Sequence, residues 1–454
     1  MGLAPTAEAV VPEGAADFDR YYRAVDRALM HRPTGTVLQV VGLVVEVGGI
    51  KAGVGELLRV VSTERTAELD LEVVGFRNGR LLATPLGPIA GVRPGARVQL
   101  ASGGSHVGVG DAVLGRILDA FGRPMDRKPP PEVDDAYPLR TSPPDAMMRR
   151  SIEHVFATGT RAVDSLLTIG RGQRLGIFAG AGVGKTTLIG MICRYSTADV
   201  NVIGLIGERG REVNDFLRGP LGVDGLARST VVVATSDQPP LVRVRAAETA
   251  TAIAEYFRDQ GKSVLLVMDS VTRYAMALRE AALATGEPPA TKGYPPSVFA
   301  AMPRLLERAG TNGGGGDITA LYTVLVEGDD MADPVADTVR SILDGHIVLQ
   351  RSLAERGHFP AIDVLGSISR LAPAVMSPDQ MRAANALRQL MATYREAVDL
   401  IQVGAYVHGS DPRVDAAVRA APVIERFLRQ DEREYTPMEE TLGYLQELAT
   451  LLPS

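Results

Sequence analysis

The segment 179–186 constrains the fold of this chain more than any other feature. It reads Ala-Gly-Ala-Gly-Val-Gly-Lys-Thr, follows the apolar run 175–178 and precedes the helix-like stretch 187–193. Glycines allow backbone N–H groups to curl around an anion, and the start of the following helix adds a favourable dipole. The order of strand, glycine loop and helix therefore predicts a phosphate-binding loop and a nucleotide site.

Individual side chains of this loop have predicted roles. The candidate nucleotide-binding residues are Gly180, Ala181, Gly182, Val183, Gly184, Lys185, Thr186 and Thr187. Lys185 is expected to bring positive charge to the β- and γ-phosphate oxygens, and the Thr186 hydroxyl to ligate Mg²⁺. The strict motif begins with glycine, where this chain has Ala179, but the Gly-Lys-Thr core is intact.

Asp269 is the first of two acidic residues that follow apolar runs. Residues 264–268 form a buried-strand candidate, and Asp269 comes directly after it. An aspartate in that place can orient the hydration shell of Mg²⁺ opposite Thr186. Strands often end in an aspartate that caps a helix, so this prediction depends on the phosphate loop upstream.

Glu208 is the second acidic residue, just beyond the strand candidate 201–206. Parallel sheets bind nucleotides outside the carboxyl ends of their strands, so a carboxylate there can polarise an attacking water. Arg209 is expected to reach the γ-phosphate or to hold Glu208. For Arg211 and Glu212, a surface ion-pair cluster fits equally well.

The pattern of the remaining sequence predicts several domains in 454 residues. Residues 1–32 are expected to form a flexible terminus and an amphipathic helix. Residues 33–105 have short Val/Leu-rich runs and frequent turns, which predict a small β-barrel domain. Residues 106–372 form an α/β domain in which apolar strands alternate with helices and build a parallel sheet. Residues 373–454 are predicted to be helical.

The amphipathic stretch 18–30 leaves two interpretations open. Phe18, Tyr21, Tyr22, Val25 and Leu29 recur at helical spacing. Such a helix either packs on its own domain or docks a partner protein.

Composition excludes several classes of protein. The net charge of -6 argues against a nucleic-acid binder, which usually carries a basic patch. The single cysteine, Cys193, makes no intramolecular disulfide. No signal peptide or spanning apolar run is visible, so a cytoplasmic protein is expected.

Several longer motifs carry a family resemblance. They are Gly-Glu-Arg-Gly-Arg-Glu-Val at 207–213, Met-Asp-Ser-Val-Thr-Arg-Tyr-Ala at 268–275, Gly-Glu-Pro-Pro-Ala-Thr-Lys-Gly-Tyr-Pro-Pro-Ser-Val-Phe at 286–299, Glu-Gly-Asp-Asp at 327–330 and Ile-Leu-Asp-Gly-His-Ile-Val-Leu at 342–349. Together they resemble the type III export ATPases, which drive flagellar export or the related injectisome and are similar to the catalytic subunit of F-type ATP synthase. The resemblance implies a RecA-like core that hydrolyses ATP with Mg²⁺.

The same resemblance implies roles for single residues. Lys185 and Thr186 match the phosphate-loop pair, Glu208 the general base, Arg209 a γ-phosphate arginine, and Asp269 the magnesium-side acid. Phe359, in His-Phe-Pro-Ala-Ile-Asp, matches the aromatic side chain that stacks on adenine. Arg370, in Ser-Ile-Ser-Arg, matches an arginine finger that acts in the neighbouring subunit. Arg273 matches an arginine near the site, with its role left open.

Partners also follow from the resemblance. It implies a homohexameric ring whose Gly-Tyr-Pro-Pro loop, 293–296, faces a central channel and a coiled-coil stalk protein. It further implies a dimeric regulator or stator on the N-terminal helix, export chaperone–cargo complexes, a membrane export gate, and peripheral association with the inner membrane.

Four alternatives were weighed against this interpretation. A non-catalytic subunit would carry glutamine in place of Glu208. A ring helicase would need aromatic stacking platforms, and residues 35–105 contain only Phe76. A vestigial docking protein would not keep Lys185, Glu208 and Arg370. A rotary synthase subunit fits segment 286–296 less well. Residues 273–277 and 290–293 favour the flagellar over the injectisome assignment.

Overall fold

The computed structural model describes residues 33–61, 68–101, 105–326 and 333–450. The predicted helix at 18–30 and the motif at 327–330 lie outside the described residues. Among the helices of the described residues, none is long and apolar enough to cross a membrane.

The first described region is a closed six-stranded antiparallel barrel. Its strands are β1 Thr34–Val41, β2 Val44–Gly48, β3 Leu57–Val61, β4 Leu69–Arg77, β5 Arg80–Pro85 and β6 Arg97–Leu100. They pair in the order β1-β2-β5-β4-β3-β6, and β6 closes on β1. Side chains such as Val37, Val45, Leu58 and Leu71 alternate inward and fill the interior. Of the sandwich and the barrel that the turn spacing allowed, the barrel is confirmed.

A large sheet forms the centre of the molecule. The remaining strands are β7 His106–Val109, β8 Arg116–Asp119, β9 Asp135–Pro138, β10 Val155–Phe156, β11 Ile169–Gly170, β12 Arg174–Ala179, β13 Val200–Glu208, β14 Ser229–Thr235, β15 Ser263–Asp269, β16 Gly310–Thr311, β17 Asp317–Leu325, β18 Gly345–Leu349 and β19 Ile362–Ser369. The central order is β19-β18-β12-β17-β15-β13-β14-β8. All neighbours on this path are parallel except β19, which runs antiparallel to β18.

Helices cover both faces of this sheet and continue beyond it. They are α1 Arg161–Leu166, α2 Lys185–Tyr195, α3 Gly210–Phe216, α4 Gly222–Ala227, α5 Pro240–Asp259, α6 Val271–Ala284, α7 Pro296–Leu306, α8 Pro334–Ile342, α9 Arg351–Glu355, α10 Ala372–Val375, α11 Pro378–Gln402, α12 Pro412–Leu428 and α13 Met438–Thr450. Two large apolar clusters result from this packing, one containing most of α5 and the other the apolar face of α2. Burial on both faces explains why the parallel strands are apolar throughout.

The predicted strands near the phosphate loop are confirmed, but two members of the sheet were missed. β8 lies within the predicted α/β domain but was not identified as a strand, and it hydrogen-bonds to β14 as the edge strand. β19 was not predicted because its buried residues alternate with less buried ones, as an edge strand allows. The C-terminal region is helical, as predicted.

A charged cluster connects the barrel to the sheet domain. Arg140 donates from Nη2 to Glu72 of β4 at 2.7 Å and from Nε to Glu248 of α5 at 2.9 Å. Both carboxylates are buried, so the arginine compensates charges that would otherwise be costly in that environment. The cluster ties the barrel to the helix that lies directly on the sheet.

Candidate nucleotide-binding and catalytic site

The predicted phosphate loop joins β12 to α2. β12 ends at Ala179, and α2 begins at Lys185. Gly182 and Gly184 have φ values of 77° and 94°, a left-handed conformation that glycine adopts without strain. Gly184 is the residue directly before the helix, so the backbone turns there and leaves the first N–H groups of α2 free to face an anion.

Lys185 lies between two carboxylates. Its Nζ forms an ion pair with Oδ1 of Asp269 and lies 3.9 Å from Oε1 of Glu208. The Thr323 hydroxyl, on the adjacent β17, donates to the same Asp269 oxygen at 2.6 Å. All three charged side chains are at least 85% buried, with exposed fractions of 11%, 15% and 7% for Lys185, Glu208 and Asp269. The ends of β12, β13 and β15 thus bring together three residues predicted from separate motifs.

Gly207 allows Glu208 to enter this cluster. Its φ is +72°, and a Cβ added there would lie 2.9 Å from Cβ of Arg273. Pairing of β13 with β14 shifts register between Ile206 and Glu208, so the strand bends at Gly207. A larger residue at 207 would be strained by the positive φ and would clash with the Arg273 side chain.

The protonation of Glu208 is shifted by its surroundings. Burial, and next the nearby Asp269 carboxylate, raise the pKa of the Glu208 carboxyl, Lys185 opposes them, and the net result is a pKa of about 7. A carboxyl with a pKa near neutrality can accept a proton from water more readily than an ordinary glutamate. The geometry and the pKa together fit the general-base chemistry that the sequence analysis predicted for Glu208.

Thr186 and Asp269 line one cavity of about 300 Å³ together with Glu208. A threonine hydroxyl and a carboxylate are oxygen ligands, which Mg²⁺ prefers, and Mg²⁺ usually takes only one or two protein carboxylates beside phosphate oxygens and water. The residues present therefore fit a magnesium ion held between the loop and β15.

A second cavity also borders the loop. It has a volume of about 500 Å³, and its lining includes Gly184, Thr187, Phe359, Pro360 and residues 429–432. Phe359 is 46% exposed, and its ring would be 3.5 Å from a Cβ at Gly184. A partly exposed aromatic face beside a phosphate loop is suited to stack against a nucleobase.

Arg370 lies far from this site within its own chain. It follows β19, and its backbone N–H donates to Asp344 O at 3.0 Å, beside the start of β18. The Asp344 N–H donates to Arg174 O, at the first residue of β12. At ~3.3 Å per residue, the length of β12 separates that end from the phosphate loop by roughly 17 Å. Arg370 is exposed, whereas the side chains clustered around Lys185 are buried.

Two further arginines were predicted near the site. Arg209 is 76% exposed at its side chain and pairs with Glu212 at 3.4 Å, so in this chain it holds neither Glu208 nor the loop. The pairing of Arg209 with Glu212 matches the surface ion-pair alternative for Glu212. Arg273 is partly buried below Gly207, and its N–H donates to the Ser270 hydroxyl at 3.3 Å at the start of α6.

Sequence reasoning missed Thr323 and the cavity wall 429–432. Thr323 follows no motif, and only the pairing of β15 with β17 brings it to Asp269. Residues 429–432 reach the phosphate loop only because the C-terminal helices fold back against α1. No local pattern in the sequence carries that information.

Two family models match the chain. The nucleotide-binding domain of the ATP synthase alpha/beta family matches residues 159–369. The T3SS EscN ATPase C-terminal domain matches residues 376–447. The two matches cover the central sheet from α1 to β19 and the C-terminal helices.

Curated relatives align over nearly the full length. The flagellum-specific ATP synthase of Salmonella typhimurium is 51% identical over 425 residues, covering 91% of this chain and 93% of the relative. That of Bacillus subtilis is 50% identical over 415 residues, with 91% and 94% covered. The type 3 secretion system ATPase of Xanthomonas euvesicatoria is 49% identical over 414 residues, with 91% and 93% covered.

Solved structures share the whole architecture. The assembled ATPase EscN from the enteropathogenic E. coli type III secretion system is 45% identical, with a TM-score of 0.86 and coverage of 91% of this chain and 100% of EscN. EscN in complex with its central stalk EscO gives 44% and 0.85 with the same coverage. With barrel, parallel sheet and C-terminal helices in common with these proteins, the chain belongs to the type III export ATPases and is an ATP-hydrolysing enzyme.

Proposed function

We propose that this chain is one subunit of a homohexameric ring that couples Mg²⁺-dependent ATP hydrolysis to type III protein export, most specifically flagellar export. The observation that carries the ring is the location of Arg370. A charged, exposed arginine at the amino edge of the sheet has no access to the nucleotide site at the carboxyl edge. In a ring with heterologous contacts, one subunit's amino edge can face its neighbour's carboxyl edge.

Within one subunit, the chemistry is divided among three side chains. Glu208 orients the attacking water and accepts its proton, since its raised pKa places it near neutrality. Lys185 leaves its ion pair with Asp269 to contact the phosphates and stabilises the charge that develops on the γ-phosphate. Thr186 and Asp269 hold Mg²⁺, which supplies charge neutralisation at the β- and γ-oxygens.

Completion of the site requires the neighbouring subunit. Arg370 enters from that subunit as an arginine finger and adds positive charge at the γ-phosphate. Arg209, exposed in the single chain, turns from Glu212 toward the same phosphate when the nucleotide and the neighbour are present. Phe359 stacks on the adenine in the second cavity.

The flagellar assignment is supported by the amino-acid sequences of segments 273–277 and 290–293. Flagellum-specific relatives from five bacteria have identities of 48–51%, and type 3 secretion relatives have 47–49%. Because these ranges overlap, identity alone separates the two systems weakly. An injectisome ATPase is therefore the second candidate, and complementation of a flagellar export mutant distinguishes them.

Several partners belong to the same proposal. The assembled EscN and its complex with the stalk EscO support an assembled ring here with a central coiled-coil stalk, facing the Gly-Tyr-Pro-Pro loop 293–296. A dimeric regulator on segment 18–30, chaperone–cargo complexes and a membrane export gate complete the expected set, with the ring at the inner face of the membrane.

The test is the steady-state ATPase rate as a function of protein concentration, measured with Mg²⁺ and with EDTA. The proposal predicts that specific activity rises with concentration as rings assemble, and that EDTA abolishes it. A rate per chain that is independent of concentration from nanomolar to micromolar, with mass photometry showing monomers, would refute the shared site. Activity in EDTA would refute the magnesium role alone.

A further inference from the structure

The wall of the Phe359 cavity is a loop, residues 429–436, between α12 and α13. Four of its residues, 429–432, line the cavity together with Phe359. The loop contacts the sheet domain at several points. Tyr195, at the end of α2, donates from its hydroxyl to Arg433 O at 3.0 Å, and Arg194 donates to Glu432 O. The wall is therefore attached to the helix that begins at Lys185.

Arg161, the first residue of α1, makes the largest number of contacts with this loop. Its side chain is 11% exposed. Its Nε donates to Phe427 O at 2.9 Å, and its Nη1 donates to the Thr436 hydroxyl at 3.0 Å. The remaining guanidinium donors bind Arg429 O and the Glu434 carboxylate. One guanidinium therefore hydrogen-bonds to both ends of the loop, a geometry that the planar, forked arrangement of its N–H donors supports.

Gln430 passes this constraint to Phe359. Its Oε1 accepts from Arg161 N at 2.8 Å, and its Nε2 donates to Gly159 O at 2.8 Å and Glu434 O at 2.9 Å. Its backbone N–H donates to Phe359 O at 2.9 Å. Gln430 is only 4% exposed, and its side-chain hydrogen bonds all go to backbone groups, of Gly159, Arg161 and Glu434. Its side chain therefore holds loop 429–436 against the start of α1, while its backbone N–H holds the loop against Phe359.

We propose that Arg161 is a positioning residue that sets the width of the nucleobase cavity through Gln430 and loop 429–436. This inference rests on the proposed role of the Phe359 cavity as the base site. The Arg161 contacts above are with the loop and the C-terminal segment, whereas the phosphate loop is held by Lys185 and Asp269. Loss of the Arg161 contacts widens the base cavity and leaves phosphate binding intact.

The experiment compares two ligands on the full chain by titration calorimetry. MgADP occupies both the phosphate loop and the base cavity, whereas inorganic tripolyphosphate occupies only the loop. Replacement Arg161→Gln is expected to weaken ADP about tenfold and tripolyphosphate less than about twofold, because several charge-assisted hydrogen bonds to the wall are lost. In steady state, KM for ATP rises by the same factor while kcat stays within about twofold.

Two milder variants protect the test against loss of folding. Arg161→Lys keeps the charge but loses the fork, so its ADP affinity falls between the other two proteins. Glu434→Gln removes one anionic partner from the exposed side of the loop and is expected to weaken ADP about threefold. Arg388→Gln is the control, since Arg388 is a partly buried arginine that, like Arg161, donates to backbone carbonyls, in its case Leu166 O and Ser367 O, outside the loop.

The outcomes separate the two proposals. If Phe359→Ala leaves ADP affinity unchanged, the cavity is not the base site, and the proposed function of Phe359 fails. If Phe359→Ala weakens ADP but the folded Arg161 and Glu434 variants do not, only the positioning role fails. Equal weakening of ADP and tripolyphosphate, or an equal effect of Arg388→Gln, would also overturn it and indicate general destabilisation.

Discussion

The two edges of the central sheet differ in how much of the catalytic site each one completes. At the carboxyl edge, Lys185, Glu208 and Asp269 already form a compact buried cluster within one chain. At the amino edge, Arg370 is exposed and lies roughly 17 Å away along β12. The residues proposed to hold the substrate are already assembled in one chain, whereas Arg370, proposed to act in a neighbouring subunit, is exposed on the surface.

Under the proposed function, this division separates binding from turnover. The proposed site takes its phosphate-binding groups and its general base from one chain and its last positive charge, Arg370, from the neighbour. An arginine finger accelerates phosphoryl transfer by ~10³–10⁵, so under this proposal ring assembly controls the rate. The difference between the edges makes separate predictions for binding and for turnover.

The largest expected effect is at the amino edge. Arg370→Ala is expected to lower kcat of the assembled enzyme by about 10³ or more, because the γ-phosphate loses its trans charge. The affinity of the monomeric chain for MgADP, measured by calorimetry, is expected to stay unchanged. Arg382→Ala, at another exposed arginine, is the control. A parallel loss of ADP affinity in Arg370→Ala would place this residue in its own chain's site and break the comparison.

At the carboxyl edge, Glu208→Gln removes the general base and keeps the shape of the side chain. We expect kcat to fall by about 10³, with nucleotide affinity equal to or slightly above that of the parent, since a buried carboxylate beside the phosphates is neutralised. Quenched-flow kinetics measure kcat, and calorimetry measures the nucleotide affinity. Retention of more than about a tenth of the parent kcat would reject Glu208 as the base.

The pH dependence sharpens the assignment of Glu208. The carboxylate form accepts the proton, and burial places the pKa at about 7. Below that pH the protonated, inactive fraction grows, so kcat/KM is expected to fall about tenfold per pH unit under pH 7 and to level off above it. The rate should be measured from pH 5.5 to 8.5 at constant ionic strength. A plateau extending down to pH 5.5 would mean that an ordinary carboxyl, or no carboxyl, limits the rate.

The smallest effect is expected at the base cavity. Phe359→Ala removes one stacking surface, which is worth ~1–3 kcal/mol in base–aromatic contacts, so KM for ATP is expected to rise about tenfold with little change in kcat. Phe359→Tyr keeps the ring and is expected to retain the parent KM. A fall in kcat without a change in KM would show that Phe359 acts in assembly and not in binding.

Sequence reasoning predicted one edge of the sheet better than the other for a physical reason. Glu208 and Asp269 end apolar strands, Lys185 follows one after the glycine loop, and parallel strands end together at one edge. Local sequence patterns therefore predict that these three residues lie close together. The position of Arg370 relative to its own site depends on the antiparallel course of β19, a strand that the sequence analysis did not identify.

The same reasoning explains the missed parts of the fold and the base cavity. β8 has four residues between turns, too short to show a pattern, and it joins the sheet only through β14. The wall 429–432 is formed by chain about 70 residues from Phe359, so only tertiary packing brings the two together. Gly207 lies within the 207–213 motif, but the sequence does not show why glycine is required there. The reason is that a Cβ at 207 would lie 2.9 Å from Cβ of Arg273, a contact that only the folded structure reveals.

The most direct test of the central claim is complementation between two inactive variants. Glu208→Gln and Arg370→Ala are mixed in equal amounts, assembled together and assayed for ATP hydrolysis, with native mass spectrometry verifying mixed rings. If the site is shared, some interfaces combine an intact Glu208 with an intact Arg370, and activity recovers to roughly a quarter of the parent rate for random assembly. Mixed rings that stay inactive would contradict a site completed by the neighbour's Arg370.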